Sequence, residues 1–143
     1  MSELTLLADA DERGRRYLAE NAQRRVFPDA VALAALARFD EALPQQGFSP
    51  ESTLTLLDEV GSPATTASNG PNYFGFVIGA SLPVAAASER LMIAWDQCAS
   101  TFDNSPVSAT LERLASRWVL DALNLPKESA VGFGTSATAC TLS

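Results

Sequence analysis

Residues 130–138 read Ala130-Val131-Gly132-Phe133-Gly134-Thr135-Ser136-Ala137-Thr138, a short run of strand character turning into small hydroxyl-bearing residues, with Ala139-Cys140-Thr141-Leu142-Ser143 behind it. A strand, a small-residue loop and a helix in that order open a β–α unit, which makes the fold class α/β. A lone strand leaves its ladder hydrogen bonds unmade, and no second strand-like run follows at the dozen or more residues that a parallel crossover takes. The helix after the loop has only a handful of residues, below the roughly 12–15 at which an isolated helix becomes marginal. The sequence therefore reads as cut rather than finished. The loop itself has the character of an anion cradle: small side chains let backbone N–H groups face a ligand, Ser136 and Thr138 add hydroxyl donors, and a following helix turns its positive end toward a phosphate. An ordinary turn with a good N-cap has the same local composition.

Upstream of this stretch the pattern is mostly helical. From Leu4 to Gln23, Leu4, Leu7, Tyr17 and Leu18 alternate with Asp9, Asp11, Glu12, Arg13, Arg15 and Arg16, a charged amphipathic helix weakened by Gly14. Pro28 and Asp29 open a second helix in which Val31, Ala32, Ala35, Leu36, Phe39 and Leu43 recur at helical spacing before Pro44. Ser49-Pro50-Glu51 supplies a capping hydroxyl, a proline at the first helical position and an early acid, and Leu54, Leu57 and Val60 follow before Gly61. Ser62 to Pro71 reads as a connector, and Tyr73-Phe74-Gly75-Phe76-Val77-Ile78-Gly79 is aromatic and punctuated by glycine. The stretch from Pro83 to Cys98 is apolar around much of its circumference, which predicts a well-buried helix. Ser105-Pro106 repeats the cap-plus-proline signature, and Leu111, Leu114, Ala115, Trp118, Val119 and Ala122 form a stripe that stops near Asn124 and Pro126. Trp95 and Trp118 fall on apolar stripes and are expected in the core.

A chain of 143 residues suffices for one domain, since near 150 residues roughly 68–70% of the unfolded surface can be buried. At 47% apolar and 19% charged the composition is globular, and a net charge of −7 lacks the basic footprint of nucleic-acid or membrane-surface binding. Histidine is absent and Lys127 is the single lysine, which removes the commonest general base, the commonest metal ligand and nearly every amine nucleophile. Chemistry here must be borrowed. Cys98 and Cys140 lack CxxC spacing and are expected as small buried hydrophobes in a reducing compartment. The N-terminus has no basic segment followed by an apolar one, and no apolar run is long enough to span a membrane, so the protein is expected to be soluble and cytoplasmic. Asp and Glu make up 17 residues, so pairs such as Asp96 and Asp103 arise by chance and are assigned to solvent. The N-terminal arginines interleave with acids, which predicts surface ion pairs.

The order and spacing of several blocks resemble the group II pyridoxal-phosphate-dependent amino-acid decarboxylases, a family that includes glutamate, aromatic amino-acid and diaminobutyrate decarboxylases. The blocks are Pro71-Asn72-Tyr73-Phe74 with Gly75-Phe76, then Ser105-Pro106 with Leu111-Glu112, then Trp118, Leu125-Pro126 and Thr135-Ser136-Ala137-Thr138, covering about half the chain. The resemblance implies an N-terminal helical dimerisation arm over 1–61, a connector with an aromatic pocket segment and a buried helix over 62–104, and over 105–143 the opening strand-loop-helix of a fold-type I large domain. It places Phe76 and Val77 in the substrate pocket and Ser136, Ala137 and Thr138 on the phosphate of pyridoxal 5'-phosphate. Leu36, Phe39, Leu57 and Val60 become arm residues of a homodimer, with packing inside one subunit as the equal alternative. Gly70 stands where a histidine usually precedes Pro71, and the phosphate loop is usually richer in glycine. Lys127 precedes the cradle, the wrong place for the lysine that holds the cofactor, so that amine is expected in a remainder of the polypeptide. The implied activity is decarboxylation of a small amino acid, inactive in this stretch alone. A lyase or aldolase of the same superfamily, or a stand-alone helical interaction module, are the alternatives.

Overall fold

A computed structural model describes residues 2–79 and 81–141, so Met1, Ala80, Leu142 and Ser143, which fall within the expected segments, lie outside the described residues. The chain divides into two compact units, Met1–Leu82 and Pro83–Ser143.

In the first unit, α1 (Glu3–Glu20) starts where the Ser2 hydroxyl accepts the Thr5 N–H at 3.3 Å, and it tightens into a 3₁₀ turn over Asn21–Gln23. The second helix, α2, is short (Ala30–Ala35), capped by Asp29 accepting from the Ala32 N–H at 2.9 Å, and passes into a 3₁₀ turn over Leu36–Phe39. The helical pattern expected to reach Leu43 stops there, because helices this short depend on packing and Leu43 is 96% exposed. Ser49 caps α3 (Pro50–Leu56), which widens into a π turn over Leu57–Gly61 and closes as a 3₁₀ turn over Ser62–Ala64.

Asp58 sits in that widened turn and ties α1 to it. Its carboxylate accepts from Arg13 at 3.0 Å and from Arg16, while the Ser62 hydroxyl donates to its other oxygen at 3.0 Å. Arg13 also donates to Asp9 at 2.9 Å and to the Thr55 hydroxyl at 3.2 Å, and hydrogen bonding to Asp9 first, then Asp58, holds its guanidinium even more firmly protonated than usual. Arg24 lies over the Tyr17 ring, 4.4 Å from its centroid, and donates to the Ser62 carbonyl. Behind these contacts sit Val60 and Ala67, the buried apolar residues of this unit.

The second unit holds α4 (Pro83–Trp95), α5 (Pro106–Ala122) and α6 (Ala137–Thr141). Ser105 is fully buried and its hydroxyl accepts the Ser108 N–H at 3.3 Å, fixing the start of α5. The end of α5 is a Schellman turn: Asn124 adopts φ 52°, the Leu125 N–H reaches the Leu120 carbonyl at 2.9 Å and the Asn124 N–H the Asp121 carbonyl at 3.2 Å.

Four expectations are corrected here. Residues 130–134 make no ladder, and no strand occurs among the described residues, because a single run has nothing to pair with. The helix expected to be buried, α4, has no buried residue; its all-round apolar surface lacks enough neighbouring structure to cover it. Trp95 and Trp118 are 47% and 68% exposed rather than core, and of the α5 stripe only Leu120 is buried. Cys98 and Cys140 are free and exposed. Among the described residues no helix is long and apolar enough to cross a membrane.

With so little apolar burial in the first unit, the Asp58 clamp carries much of its cohesion. Asp58→Asn is expected to lower stability by about 1–2 kcal/mol in urea unfolding, since it leaves both arginines without their shared carboxylate. Arg15→Ala, which breaks an exposed pair with Asp11, is expected to change little.

Candidate functional site

The small-residue loop ends in a defined turn. Ser136 initiates α6: its Oγ accepts the Ala139 N–H at 3.1 Å and its carbonyl accepts the Cys140 N–H at 3.1 Å. An accepting hydroxyl keeps its own hydrogen, so Ser136 can still donate outward. The N–H groups of Ala137 and Thr138 fall in the first turn, where no helical acceptor exists, and they make no hydrogen bond among the described residues. Thr141 donates its hydroxyl to the Ala137 carbonyl at 2.9 Å, which braces the same turn. Gly134 packs against it: a Cβ there would stand 2.5 Å from Cys140 Sγ, so any side chain would make that thiol turn away. Ser136, Ala137 and Thr138 are all exposed. One turn thus presents hydroxyl and amide donors with no bulky side chain over them, a donor set that fits a phosphate.

Phe76 and Val77 belong to the first unit. They form the middle of a left-handed turn, both at φ 54°, closed by the Ile78 N–H donating to the Gly75 carbonyl at 3.4 Å. Positive φ is unusual for an aromatic residue and more so for a β-branched one, and such strain costs of order 1–3 kcal/mol per residue. Their side chains are 90% and 103% exposed, so within this unit they line no cavity. The residues expected on the cofactor phosphate are therefore contiguous in space as in sequence, while those expected on the substrate stand in the other unit.

Other reactive groups are sparse. No group of three or more His, Cys, Asp or Glu able to hold a metal occurs among the described residues. Among the described residues Cys98 is the nucleophile with a perturbed proton: the Ser100 hydroxyl, then the Ser100 backbone N–H, pull its thiol below the usual range, and Asn104 donates to that hydroxyl at 2.7 Å. Sequence reasoning missed this, since only the loop's folding brings Ser100 back onto the sulfur. Iodoacetamide labelling followed by peptide mapping is expected to show Cys98 reacting faster than Cys140 at pH 7, with its half-maximal pH rising in Ser100→Ala, because the depressed pKa enlarges the thiolate fraction below the ordinary thiol range.

No protein-family model matches the chain, and no solved structure matches it. Over 93 residues it is 29% identical to L-tyrosine/L-DOPA decarboxylase 2 of Lophophora williamsii, an alignment covering 63% of this chain and 17% of that protein. The chain is thus similar, at low identity and over a small part of the relative's length, to a decarboxylase.

Proposed function

We propose that these residues form the N-terminal part of a pyridoxal-phosphate-dependent decarboxylase acting on an aromatic L-amino acid, with Ser136, Ala137 and Thr138 holding the cofactor phosphate. The observation that carries this reading is the similarity to a tyrosine/DOPA decarboxylase. The donor-rich turn at Ser136 supports it independently, since two free amide N–H groups and two hydroxyls suit a dianion better than a neutral ligand. When bound, the cofactor supplies the electron sink for the carbanion left as carbon dioxide departs.

The remaining assignments concern this chain's own residues. Ser136 and Thr138 donate hydroxyl hydrogen bonds to phosphate oxygens and, with the Ala137 and Thr138 amides, fix the cofactor's position. Phe76 and Val77, exposed on their left-handed turn, are the residues assigned to the substrate side chain. The lysine that carries the cofactor lies in polypeptide beyond these residues, Lys127 being a surface charge. Leu36, Phe39 and Leu57 are exposed and serve as the arm of a homodimer, whereas Val60 is buried within the first unit. The compartment is the cytoplasm. The same exposed side chains favour a second reading, a helical module that binds a partner without chemistry.

The two readings separate on the full-length gene product. Reduction with borohydride in the presence of pyridoxal 5'-phosphate is expected to place a pyridoxyl group on a lysine outside these 143 residues; no label, or a label on Lys127, contradicts the proposal. Ser136→Ala with Thr138→Val is expected to weaken cofactor binding about a hundredfold or more, since each lost charge-assisted hydrogen bond counts for about 1.5–3 kcal/mol, with Thr138→Val alone, which leaves the Ser136 cap of α6 in place, weakening it about tenfold or more.

A further inference from the structure

The second unit carries a groove of about 400 Å³, within the size range of small-molecule sites. Its walls are apolar: Val107, Leu111 and Ala115 at successive turns of α5, Met92 and Trp95 at the end of α4, and the Phe133 ring. The sequence pattern assigns Trp95 and Leu111 to core packing, but both stand about half open, so this surface is available.

The charge on the groove is one-sided: Glu112 is the charged residue of its lining. One hydrogen of the Gln97 side-chain NH2 goes to the Trp95 carbonyl at 2.7 Å, and the side-chain oxygen stands as an acceptor. Glu112 contributes a carboxylate that makes no ion pair or side-chain hydrogen bond among the described residues. The Ser108 hydroxyl accepts from the Ser105 hydroxyl at 2.8 Å. No arginine or lysine lines the groove. A carboxylate and an amide oxygen over an apolar floor match a ligand with a cationic donor at one end and an apolar body at the other, and they repel an anion of the same shape. The Trp95 and Phe133 rings suit an aromatic body and add attraction for a nearby cation.

We propose that this groove binds an arylalkylamine, its ammonium on Glu112 and the Gln97 side-chain oxygen and its ring between Trp95, Leu111 and Phe133. Such an amine keeps its proton at neutral pH, as a lysine side chain does. The binding stands on the groove alone and needs no cofactor. Only one further clause rests on the proposed function: decarboxylation of an aromatic amino acid releases this class of amine, so the site would respond to product.

The test is a calorimetric titration of the chain, without pyridoxal 5'-phosphate, with 2-phenylethylamine, 3-phenylpropionate and ethylamine. Trp95 emission is followed in parallel in a Trp118→Phe background. Saturable binding of 2-phenylethylamine with a change in Trp95 emission is expected, with 3-phenylpropionate about tenfold weaker or worse and ethylamine not detected. Glu112→Gln, an isosteric change at an exposed position, is expected to weaken the aromatic amine about tenfold, and Ala115→Phe to abolish binding by filling the groove, with circular dichroism confirming that both variants keep their helices. Equal binding of amine and carboxylate, an unchanged affinity in Glu112→Gln, or no saturable binding would overturn the proposal. A cofactor test that fails while this titration succeeds would refute the decarboxylase reading and leave the amine site standing.

Discussion

Asp58 receives Arg13 and Arg16 from α1 and the Ser62 hydroxyl from its own segment, and the first unit is organised around that carboxylate. The need for it follows from how little else is buried. Val60 and Ala67 are the apolar residues sealed from solvent there. A half-buried carboxylate shared by two guanidinium groups is directional, so it fixes the register of α1 against the π turn where an oily contact would permit sliding. Arg24 extends the same logic, stacked on Tyr17 and bonded to the Ser62 carbonyl. What the clamp positions is a surface: Leu36, Phe39 and Leu57 are presented outward from elements that Asp58 and its neighbours hold in place.

Local signals were readable in the sequence because their causes are local. Asp29, Ser49-Pro50 and Ser105-Pro106 mark helix starts that the hydrogen bonds to Ala32, Ser52 and Ser108 realise. Burial was not readable, since periodicity reports how apolar a face is and says nothing of whether a neighbour exists to cover it. Hence α4 and the two tryptophans, expected inside, stand open. The Asp58 clamp was hidden for another reason: Arg13 and Asp58 lie 45 positions apart, and no spacing rule connects them. The segment at 73–79 was legible as a glycine-punctuated loop, yet positive φ falls on Phe76 and Val77 instead of on the neighbouring Gly75.

The candidate site divides the same way. A small, hydroxyl-bearing run points to an anion site from composition, and the turn at Ser136 gives that composition a geometry in which the hydroxyl caps the helix while its hydrogen remains available. The strand expected before it depends on a partner strand, so the chain's own chemistry could not form one. The groove beside Trp95 was invisible at the level of sequence, because it arises where the end of α4 and the start of α5 leave a gap that Phe133 flanks. Exposed aromatics and leucines occur in both units.

The central claim is tested most directly by supplying the full-length protein and pyridoxal 5'-phosphate with L-tyrosine or L-DOPA labelled in the carboxyl carbon and following both products. The account predicts labelled carbon dioxide and the corresponding amine in equal amounts. Amine-free turnover, cleavage of the Cα–Cβ bond with the carboxyl label retained, or no reaction with any aromatic amino acid would contradict it.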